Sequence, residues 1–141
     1  MEMKDVFISC SFKDKKIVEK IEEGLDENGV TYIAGLSNDD TEEELDAKTK
    51  KYIEKCKVVL LVWTDNSDNL KRVYNELSFA SHLEKYILPF VIYIGEENKL
   101  GAVVYSAYPY VPAVLSPEYC EPYIPDVIQI LTHMAGKKKS Y

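Results

Sequence analysis

Histidine, cysteine and arginine are scarce in this chain, and each shortage removes a class of function. The two histidines, His82 and His133, lie far apart, and the three cysteines, Cys10, Cys56 and Cys120, form no CxxC pair. A dedicated metal centre is therefore not expected, and dispersed, odd-numbered cysteines fit reduced thiols in a cytoplasmic setting. Arginine occurs once, at Arg72, among 17 basic residues set against 24 acidic ones. The net charge of −7 and pI near 4.9 argue against non-specific binding to nucleic acid or to an anionic membrane. No apolar run approaches the ~20 residues of a membrane-spanning helix, and no charged-then-apolar signal peptide opens the sequence. Phosphate-binding motifs are missing too: neither GxGxxG nor GxxxxGK[ST] occurs, which excludes the usual dinucleotide fingerprint and P-loop. Without GxSxG there is no hydrolase nucleophile elbow.

What is present is the composition of one globular domain. Hydrophobic residues make up 46% and charged residues 29% of 141, enough for a single real core. The domain is expected over residues 1–136. "KKKSY" at 137–141 reads as a basic tail or the stub of a linker.

Strand and helix signals alternate along it. "DVFISC" (5–10) is a β-rich run. "KKIVEKIEEGLDENG" (15–29) repeats Ile17, Val18, Ile21 and Leu25 at helical spacing and ends on Gly29, where a C-terminal cap belongs. "VTYIAG" (30–35) is a second strand and "LSNDD" (36–40) a loop. "TEEELDAKTKKYIEKC" (41–56) opens with Thr41 and Glu44 in capping-box spacing and gathers Leu45, Thr49, Tyr52, Ile53 and Cys56 on one face. "KVVLLVWT" (57–64) is apolar without alternation, the mark of a strand covered on both faces. "NLKRVYNELSFASHL" (69–83) is an amphipathic helix, and "YILPFVIYI" (86–94) a fourth strand whose Pro89 suggests an irregular start. Residues 100–123 are rich in Tyr and Pro and read as a short helix, a brief strand and a loop. "IPDVIQILTHMAG" (124–136) is a last helix. Such alternation implies right-handed crossovers and an α/β, flavodoxin-like doubly wound fold, its mostly parallel sheet flanked by helices.

Glu76 is the residue that does not fit its surroundings. At roughly 100° per residue it falls between Val73 and Ala80, with Phe79 and Leu83 beside it, on the apolar stripe. Doubly wound sheets bind ligands at the carboxyl ends of their strands, and a helical side chain leans toward its helix N-terminus. Both considerations direct Glu76 to the rim formed by "CSFKD" (10–14), "LSNDD" (36–40) and "WTDNSDN" (63–69). A phosphoryl-accepting receiver domain would need acidic residues after the first strand, where Ser9, Cys10 and Ser11 stand instead.

Taken together, "DVFISCSFKD", the acidic loop after the second strand, "KVVLLVWTDNSDNLKRVYNELSFA" and "ILPFVIY" resemble a TIR (Toll/interleukin receptor) domain of the bacterial or archaeal, NAD-cleaving type. The resemblance runs in order over residues 4–94, with a weaker echo through Tyr110 and Val111. It implies an NAD+ nucleosidase that releases nicotinamide and ADP-ribose or a cyclic ADP-ribose isomer, in immune or anti-phage defence or signalling. In that family the glutamate of the third helix is catalytic, and Glu76 matches it. Ser9, Cys10, Ser11 and Phe12 would line the nicotinamide side, Leu36 and Ser37 begin the loop that gates the pocket, and Trp63, at the end of the third strand, is a candidate for ligand stacking. NAD+ enters as substrate with no cofactor. Other TIR domains are the implied partners through self-association, alongside a fused or separate effector or sensor domain. Many members carry tryptophan four residues before the glutamate; this chain has Arg72, and its "DNSDN" resembles an Asn/Ser-rich version of the stretch found in other microbial relatives.

The chemistry asks little of the protein. Nicotinamide leaves NAD+ as a neutral molecule from a cationic pyridinium, so no acid has to protonate it, unlike an ordinary glycoside. One carboxylate facing the oxocarbenium charge suffices in principle. The diphosphate needs backbone N–H groups and local cations, for which Lys13 and Arg72 are the candidates. Plainer roles stand beside these. Arg72 and Glu76 form an i,i+4 pair, Ser9 and Ser11 serve as loop or helix caps, and Trp63 as packing. Tyr105, Tyr108, Tyr110, Tyr119 and Tyr123 form either packing or an interaction surface. Two other functions remain open: a non-catalytic TIR module acting by TIR–TIR association, and a nucleoside deoxyribosyltransferase-like enzyme using a glutamate nucleophile.

Overall fold

The structure is a computed structural model and describes residues 3–35, 47–64, 66, 71–92 and 121–137. Among the described residues four parallel strands form one sheet: β1 (Val6–Ser9), β2 (Tyr32–Ala34), β3 (Val58–Trp63) and β4 (Tyr86–Val91), in the order β2-β1-β3-β4. Helices α1 (Lys15–Glu27), α2 (Ala47–Lys55) and α3 (Lys71–His82) connect successive strands, and α4 (Ile124–Met134) follows. The fold is therefore the doubly wound α/β arrangement expected, with its order reversing at β1 and β3.

Alternation along each strand divides the core in two. Val6, Ile8, Cys10, Val58, Leu60 and Val62 pack with Val18, Ile21 and Leu25 of α1 and with Val127 and Leu131 of α4. The odd-numbered set, Phe7, Val59, Leu61 and Trp63, packs with Ile53 of α2 and with Val73 and Ala80 of α3. Every residue of β3 is buried, which is why its sequence shows no polar face.

Three helices end in the same device. Gly29 (φ 70°) donates to Asp26 O while Val30 donates back to Leu25 O, at 3.2 and 3.0 Å. Gly136 and Lys137 repeat the pattern on His133 and Thr132, and Glu84 and Lys85 repeat it on Ser81 and Ala80. This is the Schellman cap, which needs a left-handed residue. Glu84 takes that role at φ 58° without being glycine. Because Val30 closes the α1 cap, β2 starts later than the apolar run suggests. Pro89 does not disturb the start of β4. It sits inside a regular strand in register with Leu61, and β4 has one described neighbour, so a missing N–H can be tolerated.

At the amino ends of the strands, Asp5 ties the chain together. Its carboxylate accepts from Thr31 N at 3.0 Å and faces Lys57 Nζ at 3.3 Å and Lys137 Nζ at 3.9 Å. The acidic loop, Thr41, Glu44 and Leu45, the elements expected over 100–120, and Tyr105, Tyr108, Tyr110 and Tyr119 lie outside the described residues. No helix among the described residues is long and apolar enough to cross a membrane.

Candidate active site

Parallel pairing brings the carboxyl ends of all four strands to one rim. Ser9 closes β1, Gly35 follows β2, and Thr64 follows β3. Glu76 lies midway along α3, between Val73 and Ala80, and all three are wholly buried. Its carboxylate reaches the rim. Ser9 Oγ donates to Glu76 Oε1 at 2.7 Å, a short bond of the kind a hydroxyl makes to a charged acceptor. Glu76 Oε2 accepts no hydrogen bond; its partner is the Arg72 guanidinium, with Nε 3.8 Å away. Burying a carboxylate is costly unless it is paired, and this one is paired from two sides, by β1 and by its own helix.

Arg72 has a second tie. Its Nη2 donates to Thr49 Oγ1 of α2 at 3.0 Å, and its side chain is 17% exposed. The guanidinium thus bridges α2 and α3 while facing the carboxylate. The i,i+4 pair is therefore no solvated surface contact.

A buried polar network braces the rim nearby. Asp14, at the end of a 3-10 turn (Phe12–Asp14), accepts from Thr64 Oγ1 at 2.7 Å and from Asn66 Nδ2 at 2.8 Å. Asn66 N donates to Thr64 Oγ1 at 3.0 Å. The loops after β1 and β3 are held together by these bonds. Burial pushes the Asp14 carboxyl above its ordinary value, against the lowering effect of the two donors.

A family model described as a TIR domain matches residues 6–111. The chain belongs to the TIR domain family. Solved structures share the fold of this TIR domain at low identity. The TIR domain heterodimer of RPS4 and RRS1 matches with a TM-score of 0.64 and 14% identity, over 93% of this chain and 97% of that one. The TIR domains of the activated Roq1 resistosome, which directly recognizes the pathogen effector XopQ, give 0.56 and 17%, over 94% and 84%. A metazoan TIR-STING receptor from C. gigas gives 0.54 and 20%, over 92% of this chain and 40% of that receptor. No curated protein matches the sequence.

The other residues expected at the site of this TIR domain separate into groups. Ser9 and Arg72 meet Glu76. Ser11 is buried, but its hydroxyl caps the 3-10 turn by accepting from Lys13 N at 3.2 Å. Phe12 is 45% exposed, with Lys15 Nζ 5.6 Å from its ring centre, and Lys13 is exposed. Cys10 and Trp63 are core residues here. Cys10 packs in the α1–α4 core, on the opposite face of the sheet from Ser9, so its thiol does not line the carboxylate. Burial, and then the charges of Glu76 and Asp14, push that thiol well above its ordinary value, which disfavours the thiolate. Trp63 is wholly buried, edge-on to Tyr74 with ring centres 5.5 Å apart, the packing role that stands beside a ligand role in the sequence. Leu36 and Ser37 lie outside the described residues.

The rim segments holding Asp14, Thr64 and Asn66 were marked in the sequence, but their pairing, like the contacts of Gly35 and Thr49, was not, since each depends on a residue distant along the chain. Among the described residues no group of three or more His, Cys, Asp or Glu could hold a metal.

Proposed function

We propose that this TIR domain is an NAD+ nucleosidase in which Glu76 is the catalytic carboxylate. One observation carries the reading: a wholly buried carboxylate, aimed by Ser9, sits at the carboxyl rim of a parallel sheet where such folds bind ligands. In the reaction the bond between ribose C1′ and the pyridinium nitrogen breaks, and its electron pair stays on nitrogen. Nicotinamide leaves neutral, and the carboxylate stabilises the oxocarbenium cation left behind. Water then attacks C1′ and gives up a proton, forming ADP-ribose; attack by an adenine nitrogen gives the cyclic isomer instead. A poorly solvated carboxylate screens less and stabilises that cation more. Lys13, exposed on the same loop, is the cation for the diphosphate.

In the single chain Glu76 is closed to solvent, so the pocket has to open before NAD+ can enter. Self-association provides the means. RPS4 with RRS1, and Roq1 in its resistosome, are TIR assemblies, and assembly in an immune or anti-phage signalling role suits this domain. A second reading has an observation of its own. The burial of Glu76 and its pairing with Arg72 also suit a non-catalytic module that works through TIR–TIR association alone.

Nicotinamide release from NAD+ by the concentrated domain separates the two. Turnover that disappears in a folded Glu76→Ala variant is expected. Absence of turnover by the assembled wild type moves the function to the scaffold reading, and turnover of nucleosides in place of NAD+ to a deoxyribosyltransferase.

A further inference from the structure

Gly35 follows β2 and donates its N–H to Ile8 O at 2.8 Å, one residue before Ser9 on β1. Its backbone does not call for glycine. The described glycines with positive φ are Gly29 and Gly136, so Gly35 has a torsion that any residue adopts. What it lacks is room for a side chain. A Cβ at Gly35 would lie 2.7 Å from Glu76 Oε2 and 2.9 Å from Phe7 Cζ. Both distances fall far inside the ~3.5 Å at which non-bonded contacts become favourable. Neither neighbour yields easily. Oε1 of the same carboxylate is bonded to Ser9, Oε2 faces Arg72, and the Phe7 ring is packed in the α2–α3 core.

We propose that Gly35 is a positioning residue whose bare α-carbon forms one wall of the Glu76 socket. Residue 35 then decides where the carboxylate sits, and any side chain there drives it away from Ser9. The kinetic side of this inference rests on the catalytic reading of Glu76; the packing side does not.

Thermal unfolding of Gly35→Ala, made in the wild type and in Glu76→Ala, tests the socket. In the presence of Glu76 the substitution should lower Tm by roughly 5 °C or more. With the carboxylate gone only the Phe7 contact remains, and the fall should be distinctly smaller. Equal falls in the two backgrounds overturn the proposal. Should Gly35→Ala alone not fold, recovery of folding in the double variant supports the socket, and failure of both variants overturns it.

NAD+ cleavage by the assembled protein provides the second arm. A misplaced carboxylate should lower kcat about tenfold or more while KM stays within about twofold. A Gly35→Ala enzyme with wild-type kcat overturns the positioning role. A wild type that cleaves no NAD+ overturns the catalytic reading instead, and the unfolding cycle then decides the socket by itself.

Discussion

Replacing Arg72 with methionine keeps most of the aliphatic stem and removes the charge that faces Glu76. At 3.8 Å and an effective dielectric near ~20, the attraction is about 4 kcal/mol. Removing one partner of a buried pair costs about 3–5 kcal/mol, because the other charge is left in a poorly solvated place. The Thr49 bond lost with it adds about 1 kcal/mol. With Arg72 17% exposed the low end of that range applies, so the total is ~4 kcal/mol, which in a domain of this size lowers Tm by about 13 °C. The cost should shrink to about 1–2 kcal/mol in Glu76→Gln, where no charge needs compensation. Urea unfolding of the four proteins closes the double-mutant cycle, with an expected coupling of about 2–3 kcal/mol. Coupling below about 0.5 kcal/mol would mean that Arg72 stabilises the fold independently of Glu76 and would overturn the buried pair. The same variant reports on function. Nicotinamide release should fall as the carboxylate loses its anchor, whereas a rise would mean that Arg72 restrains the carboxylate.

Ser9→Ala removes a bond to a charged acceptor and should cost about 1.5–3 kcal/mol, seen as a lower urea midpoint at unchanged m-value. An unaltered midpoint would show that Ser9 does not hold Glu76. Thr64→Val keeps the shape of a buried residue while depriving Asp14 of a donor and Asn66 of an acceptor; about 2 kcal/mol of stability should be lost, measured the same way. Glu84→Gly should instead stabilise by about 1 kcal/mol, because it relieves a left-handed residue at the end of α3, and a lower Tm would contradict the cap. For Asp5, burial raises the carboxyl and the donors Thr31 and Lys57 more than reverse it, so the folded value lies below the ordinary 3.8. A lowered value means stability that is present above 3.8 and lost as pH falls through the folded value. The Tm gap between wild type and Asp5→Asn should therefore hold at neutral pH and close in acid, and a gap that survives at about pH 2 refutes the link.

Sequence by itself determined the features that depend on near neighbours in the chain. Helical spacing put Glu76 on the stripe with Val73 and Ala80, and the structure buries all three. The unbroken apolar run of 57–64 marked the strand covered on both faces, and Gly29 marked the end of α1. Periodicity states which face a side chain shares, and caps state where a helix stops, so both can be read locally. The tertiary structure decided what each of those faces meets. Thr49 reaches Arg72 across 23 residues, Asp14 reaches Thr64 across 50, and Ser9 reaches Glu76 across 67. Such pairings depend on strand order and on how far each helix slides along the sheet, which no local pattern records. Gly35 makes the point most sharply. In the sequence it is an ordinary glycine after a strand; only the packing of α3 against β1 brings Glu76 into the space its missing side chain leaves.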